Sequence, residues 1–278
     1  MEKQFWIAIR ENNFEIPAGH SAQTLREELC TTIGSTDPEL RDTIGLEAFY
    51  NWLRKGLYGV DDIRWFMVRL LANLQQGIGE KDDDSVFLRS FSALWLSNIV
   101  QDDNETHRLG KEDIDGILNA ALAYFPAEMD LRGVVPVKGY AHAIAHAADL
   151  LGALGHSHHT GTRDHIRILE CVASKLRTVT EWIFIYNEDS RIARATLGIL
   201  TRGTLTLDQV KDWLTSLSRN WNGAWRNEAG ARAYSNGRAM LRALYLAMTM
   251  GHGEPIPEQE ALLRLIQGTL ESARPWEW

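Results

Sequence analysis

Val86-Phe87-Leu88-Arg89-Ser90-Phe91-Ser92-Ala93-Leu94-Trp95-Leu96-Ser97-Asn98-Ile99-Val100 is apolar almost all round, interrupted only by an arginine, three serines and an asparagine. It has no strand-like alternation and no glycine or proline, so it predicts a helix buried on every side, sandwiched between others. The segments around it are of a second kind. Ile63, Phe66, Met67, Leu70, Leu71 and Leu74 follow the three-then-four spacing of one helix face, and Ile114, Ile117, Leu118, Ala121 and Leu122 repeat it.

Start and stop signals fit helices throughout. Asp37 followed by Pro38 predicts an N-cap with proline in the first turn. Thr206 with Gln209 predicts a capping box, with Leu205 and Val210 as its hydrophobic staple. Gly56 and Gly59 close a helix that begins near Pro38, and Gly155 closes one that begins near Gly139. The pattern predicts about a dozen helices of ordinary length joined by short polar loops. Alternation of all-apolar and amphipathic helices is the pattern of stacked helical hairpins. The expected fold is therefore all-α, an α-α superhelix of HEAT or armadillo type. No strict sequence period is evident, so an irregular helical bundle is the alternative. No long flexible linker divides the chain, and residues 1–278 are expected to form a single all-α domain.

Composition narrows the function classes. Hydrophobic residues at 45% and charged residues at 24% provide for a substantial core. A net charge of -8 without any Lys/Arg run argues against a nucleic-acid partner. Cys30 and Cys171 sit among apolar residues, which predicts reduced core thiols rather than a disulfide framework. No stretch approaches the roughly 20 apolar residues of a membrane span. Met1–Trp6 runs directly into Arg10 and Glu11, without the features of a signal peptide, so a cytoplasmic location is expected.

Three loops interrupt the helical pattern. Lys81-Asp82-Asp83-Asp84 predicts a solvated acidic turn and not a site. Asp130–Lys138 carries Gly133 and Pro136 and leads into the helix from Gly139. Asn220–Gly237 is too rich in Asn, Gly and Arg for a plain helix; its Trp221, Trp225 and Tyr234, with the terminal Pro275-Trp276-Glu277-Trp278, offer a partner-binding face.

The residues richest in chemistry lie between Lys138 and Asp149. On a helix, His142, His146 and Asp149 fall on one stripe separated mainly by alanines. Three uses of that stripe are open. As ligands to a divalent metal, the two imidazoles and the carboxylate would leave a position for an activated water and hydrolytic chemistry, with a carboxylate such as Glu188 as base. However, Ala143 stands where the glutamate of a zinc-protease H-E-x-x-H helix would be. As an anion pocket, Arg132, Lys138 and the N–H groups at the helix start would hold a phosphate or carboxylate, with His142 as the candidate acid or base. As a structural network, the histidines and Asp149 would pair with side chains of neighbouring helices, and Arg41, Arg89 and Arg191 would need partners of their own. Arg89, Asp130, Arg132, Lys138, Tyr140, His142, His146, Asp149 and Glu188 form the expected ligand-binding set, for a small anionic molecule or a peptide. Of these His142, His146 and Asp149 are the metal candidates. No nucleophile elbow, phosphate loop or cysteine–histidine motif occurs, and Gly77-Ile78-Gly79 lacks the strand context of a dinucleotide fingerprint.

The order of Asn12-Asn13 with Ile16-Pro17, Arg41-Asp42, Val86–Ser92, Asp130-Leu131-Arg132-Gly133, Lys138–His146 and Glu188-Asp189 with Arg191 resembles the bacterial domain of unknown function 2785 family. The resemblance runs from near the start to about Arg194. It is most specific at Lys138-Gly139-Tyr140-Ala141-His142-Ala143-Ile144-Ala145-His146, where Tyr140 stands in place of the family's usual tryptophan. It implies a helical fold and no particular reaction. It also implies that Asp130, Arg132, Lys138, His142, His146 and Asp149 are one recurring unit, around which Arg41, Asp42, Arg89, Glu188 and Asp189 would gather if hairpins stack.

Overall fold

The structure, a computed structural model, describes residues 2–250 and 255–272. Among the described residues it is all-α apart from one hairpin of two two-residue strands. The chain divides into two compact units, Met1–Leu150 and Leu151–Trp278.

The first unit opens with α1 (Lys3–Glu11) and α2 (Ala22–Cys30). A π-helical stretch, Glu39–Leu46, then runs straight into α3 (Glu47–Arg54). Next come α4 (Val60–Asn73), α5 (Ser85–Thr106) and α6 (Lys111–Ala127). The hairpin of β1 (Val134–Val135) and β2 (Gly139–Tyr140) leads into α7 (Ala143–His156), within which the unit boundary falls. Asp37 caps the π-helical stretch, its carboxylate accepting from the Glu39 N–H at 3.0 Å. The long apolar stretch is α5, which packs against α3, α4 and α6 and is buried along most of its length. At its centre Trp95 stacks on Phe49 at 4.1 Å, and Phe66 meets the Phe49 ring edge-on at 5.0 Å.

The second unit contains α8 (Thr162–Thr178), α9 (Glu188–Thr201), α10 (Leu207–Ser218), α11 (Glu228–Met250) and α12 (Gln259–Ser272). Its strongest pairings skip an element: α8 lies against α10 and α9 against α11. Gly152 and Gly155 let the end of α7 come close to α9, for a Cβ at Gly155 would stand 2.7 Å from Ile199. Gly155 therefore packs closely in the last turn of α7, which ends at His156, one residue past the stop expected there.

Four helix starts share one device. Asp62, Asp113 and Asp164 each reach back to accept from the N–H of the glycine three residues earlier, at 3.1, 3.1 and 3.4 Å. Gln209 does the same for Thr206 at 2.9 Å, completing the expected capping box. Gly59, Gly110 and Gly161 are evenly spaced along the chain. The buried positions that follow also correspond: Ile63, Ile114, His165 and Val210, then Phe66, Ile117, Ile168 and Trp213. These four helices thus share a cap and the placing of their first buried positions.

Asn220–Gly237 is largely ordered helix and not the loop expected. Asn220–Asn227 is irregular, with a 3-10 turn at Ala224–Arg226; from Glu228 onward the chain is α11. Asn227 starts the helix, its side chain accepting from the Gly230 N–H at 2.8 Å. The glycines are there for contact, because a Cβ at Gly230 would lie 2.6 Å from the Ala224 carbonyl and one at Gly237 2.8 Å from the Trp221 ring. Trp221 is consequently buried and only Trp225 of this pair is exposed. The terminal Pro275–Trp278 lies outside the described residues.

Candidate functional site

The segment from Glu128 to Asp149 departs from plain helix, and paired charges hold it in place. Arg89 and Glu128 are fully buried and form a bidentate pair, Nε to Oε2 at 2.7 Å and Nη2 to Oε1 at 2.9 Å. Burial alone would pull the guanidinium down, but the Glu128 hydrogen bonds and charge outweigh it and hold Arg89 above its ordinary value. Arg89 Nη1 also donates to the Gln76 carbonyl at 2.9 Å and to Ser85 Oγ at 2.7 Å. Glu128 Oε1 in turn accepts from the Asp130 N–H at 2.9 Å, and Asp130 pairs with Arg132 at 2.6 Å. Two cations and two carboxylates therefore run in series, which is the condition under which such burial is tolerated.

A second set of contacts fixes the hairpin. Arg41, on the π-helical stretch, is fully buried; its Nη2 donates to the Lys138 carbonyl at 2.8 Å and the Tyr140 carbonyl at 3.3 Å. The same guanidinium donates to Asp42 at 2.8 Å and lies over the Phe87 and Phe91 rings at 4.2 and 4.7 Å. Burial draws Arg41 below its ordinary value and raises Asp42 above its own, with their mutual attraction opposing both shifts. Gly139 has φ +77°, and a Cβ there would meet Pro38 at 2.9 Å, so only glycine serves. Val137, at the tip, takes φ +68° although it is β-branched, and it is 95% exposed.

The helix begins later than the sequence predicts. Lys138–Tyr140 belong to the hairpin, His142 is a cap at φ +50°, and α7 starts at Ala143. The His146 N–H donates to the His142 carbonyl at 2.9 Å, and the His142 N–H continues the hairpin ladder to the Arg132 carbonyl at 3.2 Å. His142 is thus no member of a helical stripe, yet the two histidines still meet. Their ring centroids are 5.8 Å apart and nearly perpendicular, and the other side of this group is Tyr140, stacked on His142 at 4.5 Å. Tyr140 is about half exposed and His142 half-buried, while His146 and Asp149 are buried.

Ser90 fixes a proton on His146. Its hydroxyl donates to the Ala141 carbonyl, so it can only accept from His146 Nδ1, 2.8 Å away. Nδ1 therefore carries a proton. Phe91 packs edge-on against the same ring at 4.9 Å.

The acidic turn set aside from the sequence belongs to this region. Asp84 binds Lys138 Nζ at 2.6 and 2.8 Å, Asp82 lies 3.7 Å from Arg132, and the Asp83 carbonyl accepts from Arg132 at 2.9 Å. Its only sequence signal was complementarity: three aspartates, and two cations in the loop that follows the next pair of helices. Arg89 and Asp130 are buried and hold the loop through the ion pairs described above. Glu188 lies at the start of α9 in the second unit, buried, with Oε2 accepting from the Tyr186 N–H at 2.9 Å. Among the described residues, His142, His146 and Asp149 do not bring their ligand atoms together within 4.8 Å of one another.

The family model described as Protein of unknown function (DUF2785) matches residues 74–246. That stretch includes Arg89, the acidic turn and the whole of Asp130–Asp149, and extends past the expected end near Arg194; it leaves out Asn12–Pro17 and Arg41-Asp42. No curated protein matches the chain, and no solved structure does.

Proposed function

We propose that this chain, which belongs to the DUF2785 family of proteins of unknown function, is a binding protein. Its ligand is a small anion or a carboxylate-bearing peptide, held where the hairpin meets α7. One observation carries the proposal: His142 sits in a left-handed backbone conformation with its ring fixed between half-exposed Tyr140 and His146. Unusual backbone conformations of this kind persist where surrounding structure enforces them, and they cluster at ligand sites. Here the Arg41 and Arg89 networks do the enforcing. Lys138 supports the anionic class, since it already holds the partly exposed Asp84 carboxylate, which a ligand carboxylate or phosphate would replace. His142 is the residue placed to exchange a proton with such a ligand. The test is a titration of the full chain with inorganic phosphate and with N-acetylglutamate, following the ring nitrogens of His142 and His146 by NMR. Coupled, saturating shifts of both rings support the proposal.

A metal-dependent hydrolase using His142, His146 and Asp149, whose ligand atoms would have to draw together around an ion, is the second reading. What favours it is Ser90, which holds the His146 Nδ1–H as the outer partner of a metal-binding histidine would. Stoichiometric zinc uptake by equilibrium dialysis, lost in His146→Ala, would establish it in place of the anion site.

Three further elements belong to the same proposal. The pairing of α8 with α10 and of α9 with α11 supports stacked hairpins of the superhelical type. Residues 1–278 are proposed to unfold as a single domain. A cytoplasmic setting fits the cysteines, neither of which is in a disulfide and both of whose thiols burial pushes up to about 12. No described helix is long and apolar enough to cross a membrane.

A further inference from the structure

Trp182-Ile183-Phe184-Ile185-Tyr186, between α8 and α9, is a run of five strand-favouring residues in a helical unit. Its burial alternates as in a strand: Glu181, Ile183, Ile185 and Asn187 are exposed, Phe184 is buried, and Trp182 and Tyr186 are half-buried. One edge of this extended segment is taken. The Asn236 carboxamide, on α11, accepts from the Phe184 N–H and donates to the Trp182 carbonyl, both at 2.9 Å, as a neighbouring strand would. Arg232 closes the end of the segment by donating to the Glu181 carbonyl at 3.1 Å.

The other edge is open. Backbone groups of successive strand residues point to opposite edges, so those of Ile183 and Ile185 face away from Asn236. They have no hydrogen-bond partner among the described residues, and the two residues are 46% and 68% exposed. Proteins usually guard such an edge with a charge, a proline or a covering element. Between Trp182 and Tyr186 there is no charge and no proline. The edge is also its own complement. In an antiparallel pairing centred on Phe184, Ile183 of one copy meets Ile185 of the other, and each such pair exchanges both its hydrogen bonds. The same pairing sets Trp182 against Tyr186 and Glu181 against Asn187, so aromatic faces aromatic and no like charges are opposed.

We propose that this chain pairs with a second copy of itself through the Ile183–Ile185 edge, forming a two-fold dimer by strand addition. The isoleucines of the two copies meet on the outer face. Because Asn236 holds the opposite edge, the assembly closes at two copies. Each chain carries a net charge of -8, so repulsion opposes the dimer and salt, which screens it, favours it. The assignment is independent of the histidine site.

Sedimentation equilibrium of the full chain up to millimolar concentration, at low and high salt, tests it together with amide hydrogen exchange by NMR. A monomer–dimer equilibrium that tightens with salt is expected. As the dimer fills, the Ile183 and Ile185 amides should exchange roughly tenfold more slowly. The Phe184 amide, already bonded to Asn236, should change little. Ile185→Lys, at an exposed position where folding is not at stake, should weaken the dimer roughly tenfold. Ile185→Val should leave it nearly unchanged. A chain that stays monomeric at millimolar concentration in high salt overturns the assignment. So does a dimer that leaves the Ile183 and Ile185 amides unprotected or is indifferent to Ile185→Lys, and so does growth beyond two copies.

Discussion

Arg89 and Glu128, separated by most of α5 and all of α6 in the sequence, meet as a fully buried bidentate ion pair that anchors the loop leading to the histidines. Removing one partner strands the other charge in the interior. Glu128→Ala should therefore destabilise the protein by about 3–5 kcal/mol, read from the urea midpoint at an unchanged slope. The double variant Arg89→Met with Glu128→Leu should recover part of that loss, because no unpaired charge remains. A double variant as unstable as the single would show that the pair contributes chiefly through shape.

Ser90 controls a single proton. In Ser90→Ala the His146 Nδ1–H loses its acceptor, and the proton should no longer be confined to Nδ1, a change visible in the ring nitrogen chemical shifts. The accompanying loss of stability should be about 1–3 kcal/mol, since the Ala141 carbonyl also loses its donor. Unchanged shifts would mean that some other group holds the proton there.

Gly237 and Gly116 make opposite predictions from the same substitution. A Cβ at Gly237 strikes the Trp221 ring at 2.8 Å, whereas one at Gly116, in α6, meets nothing within 4 Å. Gly237→Ala should cost about 1–3 kcal/mol through overpacking. Gly116→Ala should stabilise by about 0.5–1 kcal/mol, the ordinary helical preference for alanine. Thermal melts of the two variants decide it, and a Gly237→Ala protein as stable as the parent would contradict the packing described for α11.

These glycines also show where the sequence could and could not be read. Periodicity identified α4 and α6, and a run apolar on every side identified α5, because one helix's own residues carry those signals. Within Asn220–Gly237 the helical part from Glu228 escapes a sequence reading because its glycines answer to Ala224 and Trp221, neighbours brought in by the tertiary fold. The histidines were found for their chemistry, but the start of α7 was placed too early. What stops the helix at Ala143 is the hairpin ladder and Arg41, a residue nearly a hundred positions away. The acidic turn is solvated, as its charge run suggests, but its pairing with Lys138 and Arg132 is visible only once the loop is folded beside it.

Glu188 gives a pH dependence of definite sign. Burial raises its carboxyl above the ordinary carboxylate range, Asp189 adds to the rise, and backbone hydrogen bonds offset only part of it. Its folded state thus favours the protonated form. The resulting stabilisation is complete in acid and is lost as pH rises through the elevated value. Glu188→Gln should accordingly raise the melting temperature at neutral pH, and the gain should shrink toward zero in acid. A gain that is independent of pH would assign the effect to packing and not to ionisation.

The most direct measurement is the histidine titration. In the wild-type chain, added inorganic phosphate or N-acetylglutamate should move the ring nitrogens of His142 and His146 together along one saturating curve. Asp84→Asn, which releases Lys138, should tighten that curve, and His142→Ala should abolish the response at His146. Ring signals that stay fixed through millimolar additions of both ligands, in the wild type and in Asp84→Asn alike, would contradict the proposal that this is a binding site for anions.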